Sequence, residues 1–243
     1  MDEWSISASS EDESTEEIFY TALSQLNIKF ANIRASLSSF HDYSNNENTI
    51  ASLEALDIEY QSWLDACPAI FEYMTVRIQE RSTEVFSDSY HIYSSMGVAA
   101  VWNNYRCVRI LVNELLLTQI NYKIKVFEDS ATLVPSFLWE QQTRTRSTVL
   151  QLSHDICATV PFFLSSPNPT NGVNVLPPKA ITGNMLIWPL YIAACTGLVS
   201  SVMRDWIVGR LSVISEVLGI GQAAPLAHTL SLNRDLLEWA GNA

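Results

Sequence analysis

Basic residues are scarce in this chain of 243 residues: 14 Lys and Arg stand against 26 Asp and Glu, a formal charge of −12. The deficit excludes a free-standing nucleic-acid binder, because phosphate contact needs a basic surface and the pI lies near 4.7. Cysteine is scarcer still. Cys67, Cys107, Cys157 and Cys195 lie 40, 50 and 38 residues apart. No pair has the gap of about two to four residues that a zinc site uses, and nothing suggests a disulfide scaffold. Each sits among apolar neighbours, where a thiol acts as a small hydrophobe, so a reducing compartment, cytosol or nucleus, is expected.

Charge itself is thin, at 16 % of residues against 48 % hydrophobic, which excludes a wholly disordered chain. Long apolar runs are missing too. The longest uncharged one, Met185 to Val199, falls short of the roughly 20 residues that cross a bilayer and contains Pro189. It reads as a buried core helix, and no membrane partner is expected. The N-terminus offers neither a basic n-region nor an apolar h-region, so no secretory signal is expected.

Catalytic vocabulary is equally sparse. His41, His91, His154 and His228 are scattered, with His91 placed near the start of the central helix. There is no His-Glu-x-x-His pair, no nucleophile elbow and no phosphate-binding glycine loop. The acidic pairs Asp57 with Glu59 and Glu128 with Asp129 do not make the Asp-rich helix end that a magnesium-bound diphosphate needs. No catalytic residue, metal ligand or cofactor is assigned.

What the chain does have is uneven acidity and strong helical periodicity. Residues 1–17 hold Asp2, Glu3, Glu11, Asp12, Glu13, Glu16 and Glu17 with no Lys or Arg, together with five serines. Such a head reads as disordered and solvated, or as an acidic interaction segment. Ser14 and Glu17 then form a capping box ahead of Phe19, Leu23, Leu26, Phe30, Ile33, Leu37 and Phe40. Steps of four and three make this an amphipathic helix, which packs within the domain or pairs a homodimer through 19–40.

A polar stretch, 41–48, separates it from a second helix carrying Leu53, Leu56, Tyr60, Trp63 and Leu64 and ending near Pro68. From about Thr83 to Lys125 one long central helix, or two broken near Gly97, is expected. Another runs from about Phe137 to Thr159 and stops at Pro161; a loop with four prolines follows from Ser165 to Lys179. Helices over Gly183–Leu198, Val202–Leu218 and Gln222–Trp239 complete the chain, with Gly219 and Gly221 at the last turn. No strand is found. The expectation is an all-α single domain of seven or eight packed helices around a long central one, spanning 18–243.

On that central helix Tyr105, Arg106 and Arg109 interrupt an apolar run, with Asn113 and Glu114 one turn on. A cation buried there must find partners. It serves an internal salt bridge, or it anchors a ligand in a helical pocket.

The string from Trp102 to Leu115, WNNYRCVRILVNEL, resembles the central helix of the fungal-specific transcription factor domain, the regulatory region that follows binuclear zinc clusters. Asp155–Leu164 (DICATVPFFL), Leu186–Tyr191 (LIWPLY) and Leu218–Ala223 (LGIGQA) agree in order and spacing, so the resemblance covers about residues 50–240. It implies an all-α regulatory domain, a nuclear address and transcription control of metabolism or secondary metabolism. It implies no catalytic residues. The family's six-cysteine cluster has no counterpart here, since no cysteine precedes Cys67.

A truncated gene model, a fragment and a free regulatory domain would each account for that absence. The expected function is a transcription regulator-like protein that senses a small-molecule effector or a DNA-binding protein partner, without touching DNA. Trp102, Tyr105, Arg106, Arg109, Trp188 and Tyr191 are the candidate ligand-binding residues. The alternative is a biosynthetic cyclase or isomerase on the same scaffold, working by shape and a few polar groups.

Overall fold

Phe19, Leu23 and Leu26 share one face of α1 (Trp4–Ser36) and are buried. The facing stripe is Leu53, Leu56, Tyr60 and Trp63 of α2 (Asn46–Asp65). Phe19 and Trp63 stack with ring centroids 4.1 Å apart, and Trp63 Nε1 donates to the Phe19 carbonyl at 3.0 Å. The heptad-like stripe therefore packs against the chain's own second helix. These elements belong to a computed structural model that describes residues 4–39, 41–164 and 180–232, with backbone alone at 4–16 and 180. Phe40 lies outside the described residues.

The first helix starts ten residues ahead of the Ser14–Glu17 capping box. The described helix thus extends back over 4–17, within the acidic head that the sequence places at 1–17. No Pro or Gly lies there, so nothing stops the helix from propagating out of its packed turns.

Beyond Pro68 a short 3-10 turn, Ala69–Phe71, leads into an antiparallel hairpin of β1 (Tyr73–Arg77) and β2 (Ser89–Tyr93). Its register pairs Tyr73 with Tyr93 and Thr75 with His91. The hairpin corrects the strand-free reading, and it moves His91 from the central helix to β2. The class remains all-α: seven helices and this one small sheet among the described residues. The central helix, α3 (Met96–Asp129), consequently starts well after Thr83. Ser95 Oγ caps it by accepting from the Val98 N–H at 3.2 Å, and Gly97 sits in its first turn without breaking it.

With 34 residues, α3 is roughly 50 Å long. It packs against α1, α2, β2, α4 (Ser136–Leu164) and α5 (Ala180–Cys195). Ile110, Leu115 and Ile120 on α3 are wholly buried. The fourth helix runs through Pro161 instead of stopping there. A proline in the last turn forfeits one ladder bond, and burial of Val160, Pro161 and Phe163 holds the turn in place. Pro189 likewise lies inside α5.

Helices α6 (Ser201–Glu216) and α7 (Ala223–Ser231) close the described fold. Between them Gly219 adopts φ +73°, and the Ile220 N–H bonds the Ile214 carbonyl at 3.3 Å. The proline-rich segment 165–179 and the end of the last expected helix, 233–239, lie outside the described residues. Among the described residues, no helix is long and apolar enough to cross a membrane.

Candidate functional site

Two arginines on adjacent turns of α3 meet opposite fates. Arg109 is paired: Nε and Nη2 donate to the two oxygens of Asp57 on α2, at 2.8 and 3.1 Å. Asn113 Nδ2 adds a bond to Asp57 Oδ1 at 2.7 Å, and Arg109 Nη1 donates to the Tyr105 hydroxyl at 2.7 Å. This is a forked, oriented ion pair that ties α2 to α3. The internal-salt-bridge reading therefore describes Arg109.

Arg106 is buried more deeply, at 1 % exposure, and forms no ion pair among the described residues. Its Nη1 donates to the Tyr93 hydroxyl at 2.7 Å and lies 3.4 Å from Asn103 Oδ1. The guanidinium stands 5.2 Å from the Tyr73 ring centroid and 5.3 Å from that of Trp102, within cation–π range. Nη2 is buried and has no hydrogen-bond partner among the described residues. A buried cation with one edge unmet is costly, and native folds seldom leave one without a reason.

The Tyr93 hydroxyl, accepting from Arg106, can donate to His91 Nδ1 at 3.2 Å, which places the imidazole proton on Nε2. Burial, reinforced by the nearby Arg106 charge, lowers His91 to about 3, so the ring is neutral. Cys107, next in sequence to Arg106, is raised by burial to about 12 and is no nucleophile at neutral pH.

Arg106 lines a cleft of about 460 Å³ bounded by α2, α3, α4 and the hairpin. Tyr73, Trp102 and Tyr105 supply aromatic wall; Gln61, Thr148 and Asp155 supply polar groups. A second cleft of about 540 Å³, over Asp57 and Asn113, shares Gln61, Arg109, Arg144 and Thr148 with the first, so the two are continuous. Both volumes suit small-molecule sites of about 300–1,000 Å³. Arg144 reaches Glu54 at 3.3 Å. Asp155 accepts from Gln151 Nε2 at 2.9 Å; burial raises its carboxyl above the ordinary carboxylate value, with Arg106 and Gln151 opposing.

No family model matches the chain, and no curated protein or solved structure matches it. What this site can do follows from its own geometry.

Of the six residues singled out from sequence, Trp102, Tyr105, Arg106 and Arg109 converge on the cleft. Trp188 and Tyr191 do not line it; they sit on α5, Trp188 at 46 % exposure and Tyr191 buried, with ring centroids 6.0 Å apart. Asp57, Asp155, Tyr73 and Tyr93 were missed. Asp57 had a readable signal, since it falls between Leu53 and Tyr60 on the apolar face of α2, where an acid needs a partner. The two tyrosines had none, because they reach Arg106 from the unexpected hairpin. Among the described residues, no group of three His, Cys, Asp or Glu is placed to hold a metal.

Proposed function

We propose that the protein is a regulator that senses a small molecule through the cleft along α3, and that it acts on transcription through a DNA-binding partner. One observation carries the sensing half: a guanidinium with an unmet donor lines an aromatic-walled cleft of ligand size. A ligand that meets the donor ties α2, α3, α4 and the hairpin together, and that order is something a partner can read. The regulatory half rests on the resemblance of Trp102–Leu115 and its three companion stretches to the fungal-specific transcription factor domain. The chain's acidity supports action through a partner rather than on DNA itself.

Deleting the protein and measuring transcripts tests the reading, with the cleft variant Arg106→Met beside the deletion. Loss of a coherent set of transcripts in both is the expected result. Unchanged transcripts, together with turnover of biosynthetic intermediates by the purified protein, would replace it with a cyclase or isomerase role.

A further inference from the structure

Once its internal pairs are set aside, the 460 Å³ cleft has one charge of each sign left. Arg109 is matched by Asp57 and Arg144 by Glu54. Arg106 and Asp155 remain, both lining the same 460 Å³ space. They act on each other electrostatically yet form no ion pair among the described residues; the other charge acting on Asp155 is that of its chain neighbour His154. Among the described residues Arg106 Nη2 is buried without a hydrogen-bond partner, and Asp155 accepts one hydrogen bond, from Gln151.

A simple anion would satisfy Arg106 and be repelled by Asp155. A simple cation would do the reverse. Only a ligand carrying both charges bridges the pair. The walls specify the rest of that ligand: Tyr73, Trp102 and Tyr105 line the space and pack edge to face on one another, an aromatic lining that favours a flat unsaturated body over a branched aliphatic one.

From this geometry we infer that the cleft binds a small zwitterion with a flat ring, of the aromatic α-amino acid type, its carboxylate on Arg106 Nη2 and its ammonium on Asp155. The proposal deepens the sensing reading and rests on it for the consequence of binding, not for binding itself. It adds the ligand's charge pattern and the residue that meets each charge.

Calorimetric titration of the full chain with L-phenylalanine, phenylacetate and phenethylamine separates the two charges. Phenylalanine should bind at least about tenfold more tightly than either single-charge probe, the loss expected when one charged hydrogen bond goes unmade. Arg106→Met should weaken phenylalanine and phenylacetate about tenfold while leaving phenethylamine unchanged. Asp155→Asn should do the reverse for the two single-charge probes. Ser147→Trp, at an exposed rim position, blocks the cleft without touching either charge and should abolish binding in a protein that folds normally.

Equal affinity for phenylalanine and phenylacetate overturns the proposal in favour of a plain carboxylate site. No binding of any probe to a folded wild-type chain overturns it outright. So does undiminished phenylalanine binding in Ser147→Trp, which keeps the test decisive if Arg106→Met fails to fold. Binding with unchanged transcripts on deletion would remove the regulatory role alone; transcript loss without binding would remove the ligand alone.

Discussion

Replacing Arg109 with Met should cost far more stability than replacing Arg106 with Met, although Arg106 is the more deeply buried. Arg109→Met strands Asp57 against α3, where among the described residues the Asn113 amide alone still donates to it. Breaking a fully buried pair costs about 3–5 kcal/mol. The Asp57 side chain is 22 % exposed, so water takes up part of its charge and the expected loss falls to about 2–3 kcal/mol.

Arg106→Met forfeits a charged hydrogen bond to Tyr93, about 1.5–3 kcal/mol. It also forfeits the ring contacts, about 1–2 kcal/mol. Against this stands relief of the desolvation of a buried cation, on the order of several kcal/mol. The terms cancel to within about 1 kcal/mol. Urea unfolding of the ligand-free chain, followed by circular dichroism, measures both variants. A cycle with Asp57→Asn should give about 1–2 kcal/mol of coupling to Arg109 and near zero to Arg106. If Arg106→Met costs as much as Arg109→Met, the fold already balances Arg106 and the reasoning fails.

Acid should destabilise the fold through His91. Its folded value, about 3, lies below the ordinary value, so the unfolded chain takes a proton that the folded one refuses. Stability therefore falls as pH drops below about 6.5, by up to about 2 kcal/mol at pH 5. His91→Gln should remove that part of the decline, and parallel curves for the two proteins would refute it. Ile110→Ala opens a void in the wholly buried face of α3 and should cost about 2–5 kcal/mol in urea unfolding. The glycines should respond with opposite signs. Gly219→Ala forces a left-handed residue and should cost about 1 kcal/mol. Gly209→Ala, inside α6 with open space around it, should gain about 0.5–1 kcal/mol, and melting temperatures decide both.

The helices were legible where burial wrote a period into the sequence. Phe19, Leu23 and Leu26 on α1 and Leu53 to Trp63 on α2 turn inward as their spacing dictates. The hairpin was not legible. Its connection, 78–88, lacks the short Gly turn that betrays paired strands, and β1 shows no regular alternation of exposure. With no Pro or Gly between 83 and 96, the stretch reads as helix. Proline misled at residue 161 because the rule of helix termination weakens where tertiary packing holds the last turn. Half of the site followed from polarity on an apolar helix, as at Arg106 and Arg109. The rest, Tyr73 and Tyr93, arrives from the hairpin, and pairing between distant strands leaves no local trace.

Each helix of this fold packs on the next along the chain: α1 on α2, α2 on α3, α3 on α4, and so on to α7. That arrangement has a kinetic consequence. Contacts between chain neighbours close short loops, so the entropy lost before the first favourable packing is small. Packing between chain neighbours favours fast folding for a chain of this length, with α3 and α4, the most extensively packed pair, as the expected nucleus. Val149→Ala, wholly buried on α4, should then slow folding, whereas Leu230→Ala on the terminal α7 should mainly speed unfolding. Stopped-flow chevrons would show the two mutations moving opposite arms.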